Sequence, residues 1–164
     1  MDRSRARLEE EGFTEDEVTR IFENVPVATH NQRGIGTLYL GCTEACSEQV
    51  EAEVLLSIVE SAMSSEIYEL MKRPDEVEVV EKAHMRPRFV EDCVREMVRM
   101  AVERFADFGP DTFLLARQEN LETIHKHNVV AERYGVIGRL LRELESDEHL
   151  SPHVTMREWL ETPA

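Results

Sequence analysis

The chain has 164 residues and a mass of 19.0 kDa, enough for one domain with a sizeable core. Apolar residues make up 41% and charged residues 32%, and no apolar run approaches the roughly 20 residues of a membrane-spanning helix. The 19 basic and 34 acidic residues give a net charge of −15, which disfavours binding to nucleic acid or to an anionic membrane. Because the N-terminus lacks an apolar export signal, we expect a cytoplasmic protein.

The first part of the chain predicts a helical segment followed by a strand. Residues 2–24 are typical of one or two helices, with Thr14 as an N-cap and Glu17 as its capping-box partner. Residues 34–41 are β-prone and bounded by glycine, which predicts a strand. A polar loop over 42–49 follows, and we take residues 1–26 as an N-terminal segment outside the main module.

The middle of the chain predicts two helices. Apolar residues recur at helical spacing from Val50 to Met63, and the helix is expected to continue, after a break, to Met71. Pro74 is expected to stop it and to begin a loop of mixed charge. The clearest amphipathic pattern covers 89–105, where Cys93 lies on the apolar stripe and is interpreted as a packing residue.

The last third predicts two strands and a helix. A turn at 109–111 precedes a strand over 112–117, a polar connection over 118–121 and a second strand over 123–131. Residues 136–146 predict a helix. This order indicates an α+β fold with an antiparallel sheet, a main module over residues 27–146 and a C-terminal tail over 147–164 that is a helical turn or loose.

Two histidine-containing segments are candidates for chemistry. His30 lies among polar residues just before the first strand, where an ordinary structural histidine is the alternative. If residues 123–131 form a strand, His125 and His127 share one face about 7 Å apart. Such a pair suits a metal or a proton-transfer site, and an exposed polar edge strand is the alternative.

Two charged groups are further candidates. Basic residues are concentrated in the segment from Lys72 to Arg88, which suits an anionic ligand, although ordinary helix-end charges explain it equally well. Within this segment Pro74 would fix the carboxylate of Glu76. Glu91 lies in the first turn of the strongest helix, where the helix dipole alone would favour a carboxylate.

Four segments together carry a resemblance to a known family. They are Val25–Gly34 (VPVATHNQRG), Met63–Glu76 (MSSEIYELMKRPDE), Arg88–Met97 (RFVEDCVREM) and Gln118–Asn128 (QENLETIHKHN). In this order and spacing they resemble the archaeal MptA type of GTP cyclohydrolase, which is related to the bacterial type IB enzymes. The resemblance covers roughly residues 1–145.

The resemblance implies a tunnelling fold, an antiparallel sheet with two helices packed on one face. Family members are similar to tandems of two such modules that assemble into a barrel with active sites between modules. The implied reaction opens the imidazole ring of GTP at C8, releases formate and recloses a pterin ring. The implied cofactor is Fe(II), with zinc or another divalent metal as the alternative. The implied product is a dihydroneopterin cyclic phosphate for methanopterin or folate-type pterin synthesis.

The resemblance also implies roles for individual residues. His30 matches a metal-binding histidine, and Glu76 matches a carboxylate that can join the metal. Glu91 matches the acid that anchors guanine, which suits a carboxylate because it accepts two hydrogen bonds from the base. His125 and His127 match a histidine pair suited to acid–base work. We further assign contacts with the phosphates to three basic residues, Arg33, Lys72 and Arg73.

One departure from the family pattern leaves alternatives open. The family carries a Cys-Pro-Cys motif ahead of the region where this sequence begins, and neither Cys42 nor Cys46 matches it. We therefore expect the chain to correspond to the C-terminal module, acting as a homo-oligomer or with a separate N-terminal half. The alternatives are a non-catalytic purine- or pterin-binding module and, less favoured, a related enzyme acting on a pterin or deazapurine.

Overall fold

The computed structural model describes residues 2–25, 31–43, 49–68, 70–146 and 153–162, and these contain seven α-helices, a 3₁₀ turn and three strands. In chain order they are α1 (Asp2–Glu10), α2 (Glu15–Asn24), β1 (Arg33–Gly41), α3 (Ala52–Ala62), α4 (Arg73–Met85), α5 (Val90–Arg104), the 3₁₀ turn (Ala106–Phe108), β2 (Phe113–Leu121), β3 (Val129–Val136), α6 (Ile137–Ser146) and α7 (Met156–Glu161). None of these described helices is long and apolar enough to cross a membrane.

The three strands form one antiparallel sheet in the order β1-β2-β3. Arg33 of β1 lies opposite Leu121 of β2, and Gly41 lies opposite Phe113. Phe113 in turn pairs with Val136 of β3. The beginning of β1, the end of β2 and the beginning of β3 therefore lie at one end of the sheet, which we call the polar end.

Two helices cover one face of the sheet. α5 packs against β2 and β3, and α3 packs against β1 and α5. Because side chains alternate along a strand, Leu114 and Ala116 of β2 enter the core while Leu115 lies on the opposite, outer face. This arrangement confirms the predicted α+β fold, with an antiparallel sheet and two helices on one face. The most deeply buried core side chains include Met97, Ala101, Val102, Phe105, Leu114 and Leu140.

A glycine allows α3 to lie close to β1. A Cβ atom at Gly36 would lie 2.5 Å from Cγ1 of Val59 and 2.6 Å from Cε of Met63. Both are side-chain atoms packed between helix and strand, so a larger residue at position 36 must displace them.

Replacing Gly36 by Ala is expected to destabilise the fold by about 1–3 kcal/mol, the usual cost of inserting a methyl group into a packed site. The measurement is urea unfolding followed by circular dichroism. Ile35→Val is the matched control, because Ile35 lies on the same strand and is 48% exposed. Equal unfolding midpoints for Gly36→Ala and the wild type would contradict the close approach.

The N-terminal predictions are confirmed. α1 and α2 form two helices, and the capping box at Thr14 is present. The backbone amide of Glu17 donates to Oγ1 of Thr14 at 3.3 Å, and the backbone amide of Thr14 donates to the Glu17 carboxylate at 2.9 Å. These hydrogen bonds lower the pKa of Glu17.

The prediction for residues 64–87 is wrong in two respects. The helix beginning near Val50 ends at Ala62, and the described residues from Met63 to Met71 are not helical. Pro74 begins a helix instead of stopping one, because α4 has its proline in the first turn. A proline is tolerated there since the first backbone amides need no partner within the helix.

α4 was missed because its pattern is weak. None of its residues is fully buried, so apolar spacing gave no clear signal. Its start is fixed by the backbone amide of Lys72, which donates to the Asp75 carboxylate at 2.8 Å. Lys82 pairs with Glu66 at 2.5 Å, which lowers the pKa of Glu66 and holds α4 to the segment after α3.

The strand boundaries after α5 also differ from prediction. β2 continues through Leu121, so residues 118–121 belong to the strand and are not a connection. β3 begins only at Val129, and residues 123–127 form a bend. His125, Lys126 and His127 therefore show the alternating pattern typical of a strand, although they lie in a loop. The predicted helix over 136–146 is confirmed, and α7 places a short helix in the tail.

Candidate functional site

The polar end of the sheet brings two predicted motifs together. Nε2 of Gln32, just before β1, donates to Oε1 of Glu122 at 2.8 Å. Oγ1 of Thr123 donates to the backbone oxygen of Asn31 at 3.4 Å. The polar segment that precedes the first strand is thus joined to the loop that carries the histidine pair.

His125 and His127 lie side by side although they are not on a strand. Their ring centroids are 5.7 Å apart with an interplanar angle of 25°, a stacked arrangement. Both residues are exposed. The predicted strand placement is wrong, yet the bend of the β2–β3 loop produces the expected proximity. Two exposed imidazoles at this separation can give or take protons at neighbouring positions of a bound molecule.

A buried carboxylate, Glu122, supports the pair and was not predicted. Its side chain is 7% exposed, and its Oε2 lies 4.0 Å from Nε2 of His125. Glu122 therefore stands between Gln32 and His125, where it can orient the imidazole. Its position directly before the histidine loop was the available signal, but its contact with Gln32 depends on the strand register.

Buried amide groups line the helix-facing side of this end. Gln118 is 1% exposed, and its Nε2 donates to Oδ1 of Asn120 at 2.9 Å. Within the described residues, Oε1 of Gln118 and Oε1 of Gln32 accept no hydrogen bond. Gly34 lies against the same amides, since a Cβ there would overlap Nε2 of Gln118. The polar end therefore keeps hydrogen-bond acceptors beneath its surface.

Glu91 lines an open cleft of about 640 Å³ between α5, β3 and α6. The cleft also contacts Ala131, four residues beyond His127. The first turn of α5 is fixed because the backbone amide of Phe89 donates to Asp92 at 3.0 Å. Glu91 is exposed at this helix N-terminus, where the dipole stabilises a carboxylate and an incoming hydrogen-bond donor can reach it.

Two arginines before α5 connect it to the end of α3. Nη1 of Arg88 donates to the backbone oxygen of Ala62 at 2.6 Å, and Nη2 of Arg86 donates to that of Ser61 at 2.8 Å. These carbonyls belong to the last turn of α3, which otherwise lacks donors. Two members of the predicted basic cluster therefore cap a helix, and the alternative role as helix-end charges is correct for them.

The remaining predicted phosphate and metal residues lie on different elements. Arg33 is exposed at the polar end, beside the histidine loop. Lys72, Arg73 and Glu76 are exposed at the start of α4. Among the described residues, no hydrogen bond or ion pair joins this start of α4 to the histidine loop.

A metal centre is not formed by the described side chains. No group of three or more His, Cys, Asp or Glu residues in these ranges is placed to hold a metal ion. The predicted ligand His30 lies outside the described residues, and exposed Glu76 alone is not a ligand set. The described part of the chain thus does not by itself fit a bound metal, because protein metal sites normally need three or four ligands.

The comparisons with known proteins agree with one another. A family model, type I GTP cyclohydrolase folE2, matches residues 4–131. GTP cyclohydrolase MptA of Methanococcus aeolicus is 45% identical over 139 residues, which are 85% of this chain and 44% of that protein. The MptA proteins of Methanocaldococcus jannaschii and Methanoculleus marisnigri are 43% and 46% identical, over 86% and 84% of this chain.

The chain spans less than half the length of these relatives, 44% in each case. The match nonetheless includes every candidate site residue, from His30 to His127. The chain belongs to the type I GTP cyclohydrolase folE2 family.

Proposed function

We propose that this chain supplies the guanine-binding and proton-transfer side of a GTP cyclohydrolase that makes a pterin precursor. The proposed products are dihydroneopterin cyclic phosphate, formate and diphosphate. One observation carries the proposal: in a member of this family, His125 and His127 stack 5.7 Å apart beside the buried carboxylate of Glu122. Two neighbouring imidazoles beside a carboxylate are an arrangement suited to acid–base chemistry.

Glu91 is the proposed guanine anchor. Its carboxylate can accept from N1–H and from the exocyclic amine of guanine, two parallel hydrogen bonds that adenine does not offer. Its place in the first turn of α5 leaves the carboxylate exposed to the cleft. Base recognition would then come from a rigid helix, which positions a ligand better than a loop does.

His125 and His127 are the proposed acid–base groups. Opening the imidazole ring requires a proton on the departing nitrogen, and loss of formate requires another transfer nearby. Two imidazoles can share these transfers because an imidazole nitrogen can donate or accept a proton. Glu122 would hold the ring of His125 through its Oε2, while Gln32 fixes the other carboxylate oxygen.

The proposal includes a divalent metal, Fe(II) or in its place zinc. The proposed ligands here are His30 and Glu76. A metal held there would supply the activation of water that attack on C8 of guanine calls for. At least one further ligand would have to come from elsewhere, because the described residues do not complete a site.

A second chain is also proposed, either another copy or an N-terminal half. The outer face of the sheet exposes Ile35 (48%), Tyr39 (54%) and Val130 (48%). β1 and β3 are also edge strands of a three-stranded sheet, and such edges offer unpaired backbone groups. A partner sheet would cover both features.

Adding Fe(II) under anaerobic conditions is expected to give GTP turnover that chelation abolishes. We would measure pterin fluorescence after oxidation, with this chain alone and mixed with a family N-terminal half bearing the Cys-Pro-Cys motif. Activity confined to the mixture is expected, because the metal needs another ligand. Equal turnover after chelation would contradict the metal requirement.

The alternative is a non-catalytic module that binds a purine or pterin, which the incomplete ligand set of the described residues favours. Calorimetry separates the two functions. Binding of GTP without turnover, in a folded complex with the N-terminal half, would support the binding module. The predicted phosphate contacts of Arg33, Lys72 and Arg73 apply to both functions and remain predictions.

A further inference from the structure

The C-terminal segment, residues 153–162, is anchored at one end by Trp159. Its Nε1 donates to the backbone oxygen of Asp111 at 2.7 Å, and its ring lies 5.7 Å from that of Phe113. Gly41 makes room for the indole, since a Cβ there would lie 2.9 Å from Cη2. The segment therefore crosses the end of the sheet opposite the polar end, where the indole packs closely against Gly41.

His153 anchors the other end of the segment, and it is 8% exposed. Its Nε2 lies 2.7 Å from Oε1 of Glu143 and 2.6 Å from Nη2 of Arg133. Arg133 itself pairs with Oε2 of Glu143. Gly135 gives the imidazole its space, because a Cβ there would lie 2.6 Å from Nδ1. The imidazole, the guanidinium and the carboxylate thus form one compact cluster.

The cluster belongs to the wall of the cleft that Glu91 lines. Arg133 and Glu143 both contact this cleft, from β3 and α6. Two further carboxylates, Glu96 and Glu132, line it as well. An arginine beside several carboxylates has competing partners, so its position depends on the groups that hold it.

We propose that residues 153–162 form a strap that positions this cleft wall, with His153 holding the Arg133–Glu143 pair in place on the cleft that Glu91 also lines. Trp159 fastens the strap to the far end of the sheet. His153 is a positioning residue, since it acts through Arg133 and Glu143. The consequence for guanine rests on the proposed function, whereas the strap itself does not. Residues 132–164 lie beyond the matched family model, so the strap is an addition to the part that the family model covers.

Hydrogen exchange measured by mass spectrometry tests the strap without any ligand. His153→Ala is expected to raise exchange roughly tenfold in residues 153–162 and in the cleft wall over 131–144, as hydrogen bonds to charged groups are lost. His153→Gln should restore protection of the wall, because its amide retains a polar atom near the position of Nε2. His84→Ala is the control, since Nδ1 of His84 lies 2.8 Å from the backbone oxygen of Val80 within α4 and the residue does not line the cleft.

The exchange pattern decides the proposal. Faster exchange in the wall that His153→Gln reverses supports it. Faster exchange confined to 153–162, no change at all, or loss that His153→Gln does not reverse would overturn it. Fluorescence of Trp159, the single tryptophan of the chain, verifies that each variant is folded.

A second arm measures GTP affinity by calorimetry, in the complex with the N-terminal half. His153→Ala is expected to raise Kd by roughly tenfold, the effect of a misplaced polar wall, and unchanged affinity would overturn the link to Glu91. If the wild type binds no GTP, the proposed function fails, and hydrogen exchange alone then decides whether the strap holds the cleft wall.

Discussion

Replacing Glu91 by Gln is expected to weaken GTP binding about 10- to 100-fold, because hydrogen bonds to a charged group contribute roughly 1.5–3 kcal/mol. The substitution keeps the size of the side chain and its place on α5. It removes the charge and turns an NH₂ donor toward the N–H groups of guanine. Calorimetry with GTP, in the complex with the N-terminal half, measures the loss.

Two controls make this result specific. Glu103→Gln is the matched substitution, since Glu103 lies on α5 but pairs with Arg99 and does not line the cleft. It should leave GTP affinity unchanged. Inosine triphosphate lacks the exocyclic amine, so Glu91→Gln should cost it less affinity than it costs GTP. An equal loss for both nucleotides would exclude a contact between Glu91 and the exocyclic amine, and unchanged GTP affinity would remove Glu91 from base recognition.

The sequence predicts correctly those helices and strands whose apolar residues directly mark the buried face. α5 has a continuous apolar stripe, and its predicted bounds lie within a residue or so of those found. β1 is a β-prone run between glycines, and it was also predicted correctly. The capping box at Thr14 was recognisable because its chemistry lies within four consecutive residues.

The wrong predictions concern residues whose type is compatible with two different structures. Pro74 terminates a helix when it follows one and favours a helix when it occupies the first turn, and only tertiary structure distinguishes the two. Residues 118–121 are polar because they continue β2 into the polar end, not because they leave the sheet. The polarity of these residues predicts a loop, whereas the structure continues the strand through them.

The same reasoning explains what could be predicted of the site. The sequence predicts that His125 and His127 lie close together, because two like residues two positions apart are visible in any sequence. It does not predict the contact of Glu122, because that contact depends on the strand register that places Glu122 beside Gln32. The contact between β3 and α6 in the cleft wall cannot be predicted for the same reason. Arg133 and Glu143 are ten residues apart and meet only in the folded chain. Long-range pairs of polar residues carry no periodic signal.

His125→Asn is expected to lower kcat by about 10²–10⁴, the usual contribution of a positioned acid–base group. The complex should retain GTP affinity, because the exposed imidazole is proposed to act on the reacting ring and not on the base edge held by Glu91. Single-turnover pterin formation at saturating GTP measures the effect. Lys126→Ala is the control, since it changes an exposed residue of the same loop.

Combining a substitution at Glu122 with His125→Asn shows whether Glu122 acts through His125. The effects of a positioning residue and of the residue that it positions do not multiply, whereas those of two independent groups do. If Glu122 acts by orienting His125, then Glu122→Gln lowers kcat in the wild type but lowers it no further in His125→Asn, since interacting residues are not additive. If the two losses multiply in the double variant, Glu122 works separately from His125. The 4.0 Å separation of Oε2 from Nε2 and the burial of the carboxylate favour the first result. A kcat of His125→Asn equal to that of the wild type would shift the proton-transfer role to His127 alone, and the same cycle with His127→Asn would then identify the group that Glu122 supports.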